Sequence, residues 1–452
     1  MSERRESLIN RLKPKSNFSR NVLTLMTGTT IAQAIPIAIS PILTRIYTPE
    51  DFGMFALYMS MASILSVVAT GRYELAIMLP KKDEDAINIV ALSLIISFLV
   101  SFIALLIIFF FNDSLINLLG NPKISSWLYF IPLTVLLTGI YQSFNYWSNR
   151  KKHYKRLATS RVIQSGTTSS SNLAFGFGGL GAGGLIGSTL LGQGMASFIL
   201  GNSILKEDKN RFRDIKKLKI IALMRRYIKF PKFDIPSSLI YTLYSNMAII
   251  FFTKFFEAST SGFYFFANRL LRTPFSFFIS AFSDVFYQKL SKTKDFTLIS
   301  KEINHFSLKL LKITFIPFLV VVYSSYFYVT PIFGEKWQSL YIYIEIFAMP
   351  IYIGLILAPY GHVLKIINRQ EISMYLHFMR LAILSIFFIS YFYMEYTLLW
   401  FLFLYAILDS ILHLFLAWSV DTILENRDKY TMNLGRLGLV FILGCINISI
   451  IL

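Results

Sequence analysis

The sequence has few charged residues for its length. Only 15% of its 452 residues are charged, whereas 55% are hydrophobic. A soluble domain usually carries about 25% charged residues, because its surface faces water. With so few charges the chain cannot cover its apolar surface against water, so lipid must cover it instead. We therefore predict an integral membrane protein.

Cysteine and histidine are also scarce, which excludes several kinds of site. The single cysteine, Cys445, rules out an intramolecular disulfide, and the five histidines show no zinc-binding spacing. The match of Gly176, Gly178 and Gly181 to GxGxxG is accidental, because no βαβ unit surrounds it. The sequence shows no convincing Walker A motif, Ser-His-Asp set or carboxylate pair. We expect no catalytic activity, no metal and no cofactor.

Long apolar runs are abundant. A helix that spans a bilayer needs about 20 mostly apolar residues. Twelve runs meet this length, which predicts an all-α polytopic membrane protein of about 12 transmembrane helices. A further apolar run at 437–452 is short for a span, so a thirteenth helix stays open. The predicted spans are 22–44, 53–79, 86–111, 124–147, 157–179, 184–205, 235–254, 262–287, 307–330, 341–361, 373–391 and 398–420.

The basic residues predict the orientation of these spans. With the N-terminus in the cytoplasm, 36 of the 44 Lys and Arg residues lie at inner loops and only 4 at outer loops. Cytoplasmic loops of membrane proteins carry such an excess of Lys and Arg. The net charge of +19 therefore reflects topology, and we expect no nucleic-acid partner. We predict a multi-pass protein with a cytoplasmic N-terminus.

A weak internal repeat divides the spans into two groups of six. TRIYTPEDFGMF (44–55) matches TKFFEASTSGFY (253–264) at an offset of 209 residues, and Gly53 matches Gly262. Chance similarity between apolar segments is the alternative interpretation. Both groups start on the inner side, so the repeat is parallel. Transporters built in this way bind substrate between the halves and alternate access by rocking them.

Each copy of the repeat is predicted to be an outer turn that leads into a helix. Thr48 is expected to cap the first helix, because Pro49 and two acidic residues follow it. In the second copy, Ser259 or Thr260 is expected to act as the cap.

The spans and loops together predict five regions. A basic cytoplasmic N-terminus (1–21) precedes a six-helix first half (22–205). A basic cytoplasmic linker (206–234) leads to a six-helix second half (235–420), and a C-terminal tail (421–452) follows.

Four stretches carry a resemblance to a known family. They are TRIYTPEDFG (44–53), GRYELAIMLP (71–80), NYWSNRKKHYKRLATSRV (145–162) and YIKFPKFDIPSSLI (227–240). In combination, and across nearly the whole chain, the sequence resembles the polysaccharide-transporter (O-antigen flippase) family. This family belongs to the multidrug/oligosaccharidyl-lipid/polysaccharide exporter superfamily. The terminal run 437–452 departs from a plain twelve-helix pattern.

This resemblance implies a fold, a substrate and partners. The fold is two six-helix lobes around a central cavity. The substrate is an undecaprenyl-pyrophosphate-linked oligosaccharide, a repeat unit of O-antigen, capsule or exopolysaccharide, moved from the inner to the outer leaflet of the bacterial cytoplasmic membrane. Membrane lipids and a polysaccharide polymerase or export machinery are the implied partners. The family has no universal catalytic residue to carry over.

Two arginines in span 8 are candidate substrate-binding residues. Arg269 and Arg272 are three apart, which places them on one helical face. An arginine in the middle of a membrane costs at least ~3 kcal/mol on insertion scales. They therefore face a watery cavity, where they would bind an anionic substrate, or they pair with an acid such as Asp284 or Glu345.

Arg72 and Arg380 are further candidates for the cavity. Arg72 lies near the inner end of span 2, and Arg380 lies one to two turns into span 11, three residues after His377. Each either lines the cavity or extends to the headgroups at the membrane surface. Because Glu74 is two residues from Arg72, the two side chains are expected to point to different faces and not to pair.

Asp409 and His413 are four residues apart near the middle of span 12, so they are expected to share a face. A His–Asp pair inside a membrane would carry a proton and couple transport to the proton gradient. Alternatively, a neutral hydrogen bond between them would hold helices together. Both interpretations stay open.

Three function classes fit twelve spans. A flippase for lipid-linked oligosaccharides is preferred, because the mid-span charges are mostly arginines and suit an anionic substrate. A cation-coupled drug antiporter of the same superfamily is the alternative, and it would use acidic cavity residues. A membrane-embedded glycosyltransferase or polymerase would need a large outer loop, and no predicted outer loop exceeds about a dozen residues.

Overall fold

The protein is almost entirely helical in the computed structural model. The structure describes residues 17–290, 295–367, 369–394 and 396–424, and within these ranges it contains no β-strand. The side chains of 17–23, 276–290, 362, 365, 366 and 370 are not described. The apolar run 437–452 lies outside the described residues, as does most of the predicted N-terminal region.

The first half contains eight α-helices. Two short 3₁₀ segments, Tyr73–Met78 and Pro122–Ile124, interrupt predicted spans 2 and 4. The helices are α1 Asn17–Ala38, α2 Ser40–Ile46, α3 Pro49–Ser66, α4 Asp83–Leu119, α5 Ser125–Leu128, α6 Ile131–Arg150, α7 Tyr154–Phe177 and α8 Gly181–Glu207.

The linker and the second half contain nine more helices within the described ranges. The linker folds as a 3₁₀ segment (Lys209–Asp214), the helix α9 (Lys217–Arg226) and a π turn (Phe230–Asp234). The helices of the second half are α10 Ile235–Phe255, α11 Ala258–Leu290, α12 Phe296–Tyr323, α13 Ser325–Phe333, α14 Leu340–Ile356, α15 Ala358–Ile366, α16 Gln370–Ser390 and α17 Leu398–Ile423.

The helices confirm an all-α polytopic membrane protein. Among the described residues, seven helices are long and apolar enough to cross a membrane, at predicted spans 1, 3, 6, 7, 9, 11 and 12. The pair Pro122–Leu128 and Ile131–Arg150, bent by 46°, adds an eighth if it is one span. The other four predicted spans fall on α3, α7, α11 and α14. Of these helices, α3 stops at a break in the span, α7 is rich in polar residues, α11 carries charged residues and α14 is short.

Span 2 is not the continuous helix that the sequence predicted. The helix α3 ends at Ser66, and both Gly71 and Arg72 have a positive φ, +61° and +62°, which an α-helix cannot contain. The turn brings Arg72 Nη1 to 3.7 Å from Glu74 Oε1. The prediction that these two side chains do not pair is therefore wrong, because it assumed an unbroken helix.

The predicted helix caps have different outcomes in the two copies of the repeat. Thr48 caps α3: its hydroxyl accepts from the backbone N–H of Asp51, whose carboxylate accepts from the N–H of Thr48. The cap predicted for the second copy is wrong, because α11 begins at Ala258. Ser259 and Thr260 consequently lie inside the first turn of the helix.

Aromatic packing joins the predicted outer ends of the two halves. The ring of Phe52, in α3, lies 5.5 Å from that of Phe266 and 5.2 Å from that of Trp337, both in the second half. Trp337 Nε1 also donates to the carbonyl oxygens of Thr44, at 2.9 Å, and Tyr47, at 3.3 Å. The described parts of the two halves therefore meet at this end of the bundle.

Candidate functional site

A cavity of about 1430 Å³ lies in the described part of the bundle. Helices α10, α11, α14, α15, α16 and α17 of the second half form most of its wall, and the linker and Leu75 of the first half complete it. Its charged or titratable lining residues, apart from tyrosines, are Lys229, Asp234, Arg272, Glu371, His377, Arg380, Asp409 and His413. Within the described residues, no group of three or more His, Cys, Asp or Glu side chains could hold a metal ion.

A column of polar side chains on α11 faces this cavity. Tyr264, Asn268 and Arg272 follow one another at intervals of four, so they lie on one helical face. Asn268 Nδ2 donates to the carbonyl oxygen of Tyr264 at 3.1 Å, and Arg272 Nε donates to Asn268 Oδ1 at 3.2 Å. The Arg272 side chain is exposed, and it forms no ion pair with a described acid. Its remaining donors are therefore directed to the cavity or to water.

Arg269 and Arg72 are not in the wall of this cavity. Arg269 is half-buried on α11, rotated by about 60° from Arg272 because a helix turns about 100° per residue. No ion pair links Arg269 or Arg272 to Glu345 in the described part of the chain, and the side chain of Asp284 lies outside it. The roles of Arg269 and Arg72 in substrate binding stay predictions.

Arg380 belongs to a buried hydrogen-bonded chain of side chains. It lies about three turns after the start of α16, which begins before predicted span 11, and the residue is only 4% exposed. Arg380 Nη2 donates to the hydroxyl of Tyr244, and its Cζ lies 4.2 Å from the centroid of the Tyr244 ring. The Tyr244 hydroxyl in turn donates to Asp409 Oδ1 at 2.5 Å. Tyr244 therefore connects the guanidinium of α16 to the carboxylate of α17.

Asp409 and His413 share a face of α17, as their spacing predicted. His413 Nδ1 lies 3.6 Å from Asp409 Oδ1, 2.8 Å from the backbone oxygen of Asp409 and 3.2 Å from Arg380 Nη2. The imidazole packs closely against α14, where a methyl group at Gly354 would lie 2.8 Å from Nε2. The structure thus brings together three predicted site residues, Arg380, Asp409 and His413, and places Arg272 in the same cavity.

The sequence analysis missed Tyr244, although a signal for it exists. Ser237, Tyr241 and Tyr244 line the cavity at intervals of four and three along α10, which makes a polar stripe on one face of this helix. Such a stripe predicts a helix face that meets a cavity. It does not predict which tyrosine contacts a charged pair, because those partners come from α16 and α17.

The sequence of the chain matches a known family. The model of a family described as polysaccharide biosynthesis protein matches residues 42–342, which is more than half of the chain. A comparison with curated proteins finds no match.

Solved structures of transporters have a similar fold. A MOP superfamily transporter from Pyrococcus furiosus, described as having a binding pocket of reverse polarity, superposes with a TM-score of 0.61 at 16% identity and covers 90% of this chain and 95% of its own. The outward-facing conformation of a multidrug resistance MATE family transporter superposes with a TM-score of 0.60 at 17% identity, and the match again covers 90% of this chain and 95% of the transporter. The inward-facing conformation of a MATE family transporter gives 0.57 at 15% identity, covering 89% and 94%.

At these identities the solved structures establish the fold, while the match over residues 42–342 establishes the family. The fold is the one shared by MOP superfamily transporters, and it agrees with the expected architecture. The chain belongs to the polysaccharide biosynthesis protein family, and it has the fold of a MOP superfamily transporter.

Proposed function

We propose that the protein moves an undecaprenyl-pyrophosphate-linked oligosaccharide from the inner to the outer leaflet of the bacterial cytoplasmic membrane by alternating access. The observation that carries this proposal is the position of Arg272. Its guanidinium is exposed in the wall of a cavity within a membrane-spanning bundle and has no ion pair among the described acids. Intramembrane charges of this kind mark substrate pathways.

The chemistry of arginine suits a pyrophosphate. A guanidinium presents planar, multiple donors that match the geometry of phosphate oxygens, and charge-assisted hydrogen bonds are about twice as strong as neutral ones. Of all parts of the cargo, the charged pyrophosphate loses the most favourable hydration when it leaves water. Arg272 and Arg380 in one wall would replace part of its hydration.

The size and lining of the cavity suit a sugar attached to this headgroup. Its volume of about 1430 Å³ exceeds the roughly 300–1,000 Å³ of ordinary small-molecule pockets. Hydroxyl and amide groups of Ser237, Tyr241, Ser245, Tyr264 and Asn268 line it and would exchange hydrogen bonds with sugar hydroxyls.

The location of the cavity supports loading from the inner side. Lys229 and Asp234 of the linker and Glu371, all near predicted cytoplasmic loops, belong to its wall. At the predicted outer end, Trp337 donates hydrogen bonds to the first half and so holds the two halves together there.

A cation-coupled drug antiporter is the second candidate. The acids Asp234, Glu371 and Asp409 in the same wall favour it, because a cationic drug would bind carboxylates. Asp409 already accepts a hydrogen bond from Tyr244, and Arg380 lies on the other side of that hydroxyl. This compensation leaves Asp409 less available to a cationic drug, so we prefer the anionic cargo.

The decisive experiment follows lipid-linked sugar in cells that lack the protein. We expect the lipid-linked oligosaccharide to accumulate on the inner leaflet, and the native chain to restore export. Arg272→Ala should accumulate to the native level without restoring export. Normal distribution of the lipid-linked sugar in the deleted strain, with increased sensitivity to cationic drugs, would establish the antiporter instead.

A further inference from the structure

We infer that Tyr244 makes the affinity of this cavity for an anionic phosphate group depend on whether Asp409 carries a proton. The inference deepens the proposed function, because it rests on an anionic cargo and concerns the regulation of the same site. It is argued from the contacts of Tyr244, Arg380 and Asp409.

The hydrogen bonds around Tyr244 have a fixed direction while Asp409 is ionised. A guanidinium only donates and an ionised carboxylate only accepts, whereas a phenol has one proton and accepts through its oxygen. Tyr244 therefore accepts from Arg380 and donates to Asp409. In this state the positive and negative charges compensate each other through the phenol, and the three side chains together are neutral.

Proton uptake by Asp409 removes this compensation. A protonated carboxyl is neutral and has a donor of its own, so Tyr244 no longer needs to donate to it. The three side chains then carry one net positive charge in a buried place, where an uncompensated charge is unfavourable. An anion that enters the cavity would supply the missing negative charge.

Arg380 lines the cavity, and its guanidinium has hydrogen-bonding capacity that the described residues do not use. Its Nε is buried and has no hydrogen-bond partner within the described residues, while Nη2 bonds to Tyr244. Arg272, exposed in the same wall, adds a second guanidinium. A phosphate group would therefore bind more tightly to the protonated state than to the ionised state.

The other titratable and charged groups near Asp409 come from several helices. From α17 itself come Tyr405 and His413, and α11 contributes Tyr264 and Arg272. His377, on α16, packs its ring 5.0 Å from that of Tyr241 on α10. From α14, the residue that packs against His413 is Gly354, which carries no titratable group. Of these, His413 is the competing site for the proton, because its Nδ1 lies 3.6 Å from Asp409 Oδ1.

Linkage makes the effect reciprocal. If a proton on Asp409 raises the affinity for the anion by some factor, the anion raises the affinity for the proton by the same factor. Coupling between two sites is usually about 5- to 150-fold. A single linked proton limits the change in affinity to about tenfold per pH unit.

The test measures binding of undecaprenyl pyrophosphate to the purified full-length protein in nanodiscs, at pH values from about 8 to about 5. At the alkaline end, where Asp409 is ionised, the native protein should bind about 5- to 150-fold more weakly than Asp409→Asn, and at the acidic end the two should bind equally tightly. Asp409→Asn should bind tightly throughout. Because both proteins bind the same ligand, its own titration cancels in the ratio of their affinities.

Two further variants make the test specific. Tyr244→Phe keeps the ring over Arg380 but removes the hydroxyl, so it should lose most of the extra pH dependence. His413→Gln should retain that dependence. Thermal unfolding checks that each variant is folded, and Tyr244→Phe remains informative if Asp409→Asn does not fold.

The outcomes separate this inference from the proposed function. Tight binding with the same pH dependence in native protein, Asp409→Asn and Tyr244→Phe would overturn the inference and leave the anionic cargo intact. Loss of the pH dependence only in His413→Gln would assign the proton to the histidine and also overturn it. Absence of binding by every folded variant at every pH would overturn the proposed cargo together with this inference.

Discussion

Gly53 and Gly262 lie against each other's helices where α3 crosses α11. A Cβ atom built at Gly53 would lie 1.7 Å from the carbonyl oxygen of Ala258, and one at Gly262 would lie 1.9 Å from the carbonyl oxygen of Pro49. Real Cβ atoms do not approach backbone so closely. Only glycine therefore allows the two helices to cross at this distance.

The contact is reciprocal and agrees with the internal repeat. Gly53 matches Gly262 and Pro49 matches Ala258 at the same offset of 209 residues. Gly53 contacts Ala258, and the equivalent glycine, Gly262, contacts Pro49, which is equivalent to Ala258. Such an exchange of equivalent residues is the pattern of a two-fold contact. The chance interpretation of the repeat is difficult to reconcile with this geometry.

The first prediction concerns the crossing. Gly53→Ala should weaken the contact of the two halves by about 1–3 kcal/mol, the usual effect of overpacking. Thermal unfolding of the purified protein measures it. Gly166→Ala is the matched control, since a Cβ there meets nothing within 4 Å and alanine favours a helix by about 0.5–1 kcal/mol. Equal melting temperatures for the two variants would contradict the prediction.

The second prediction concerns Trp337. Trp337→Phe keeps an aromatic ring beside Phe52 but removes the donor to Thr44 and Tyr47, which should cost about 1–3 kcal/mol if the buried acceptors stay unpaired. The outer ends should separate more often. Spin labels at residues 50 and 335 should then give a broader distance distribution than in the native protein.

The control for that experiment is Trp147→Phe. Trp147 Nε1 donates to Asp208 at 2.9 Å, a bond between the first half and the start of the linker. Its loss should lower stability without changing the label distances. If the two variants broaden the distribution equally, the indole of Trp337 has no special role in holding the outer ends together.

The third prediction concerns orientation. Cysteines at Glu50 and Lys336, both exposed, should react with an impermeant thiol reagent in intact cells, whereas cysteines at Lys155 and Lys209 should be protected. The reason is that 36 Lys and Arg residues lie at predicted inner loops and only 4 at predicted outer loops. The background carries Cys445→Ser, and permeabilised cells show that all four sites can react. Labelling at Lys209 in intact cells would invert the topology.

The fourth prediction concerns Arg272. Arg272→Lys keeps the charge but loses the planar fork, so export should be reduced yet present, whereas Arg272→Ala should lose most export. Arg269→Ala is the control on the same helix, because Arg269 lies outside the cavity wall. It should retain more export than Arg272→Ala at an equal protein level. Native export by Arg272→Ala would exclude this residue from substrate binding.

Much of the fold follows from local features of the sequence. A helix must be long and apolar enough to match the bilayer, so the apolar runs locate the spans but not always their ends. The helix α12 begins at Phe296, for example, whereas predicted span 9 begins at residue 307. Thr48 was predictable as a cap because capping depends on neighbours in sequence. The break in span 2 was not predicted, although Gly71 allows the positive φ that the break needs.

The candidate site was predictable only in part. Arg380, Asp409 and His413 stood out because charge is rare inside a membrane, where it is unfavourable. Their connection could not be predicted, because Tyr244 is an ordinary residue on an apolar helix until α16 and α17 bring Arg380 and Asp409 to its hydroxyl. Likewise, spacing alone grouped Arg269 with Arg272, and only the packing of α11 separated them.

The sequence by itself determined that the chain is a helical membrane protein, where most of its apolar helices lie, and which charges interrupt the apolar runs. These properties depend on the transfer of short segments from water to lipid, which each segment undergoes almost independently. Only the tertiary structure decided that Gly53 crosses the helix of Gly262 and that one phenol joins a buried guanidinium to a carboxylate. Those contacts join residues far apart in the chain, and their geometry depends on how whole helices pack.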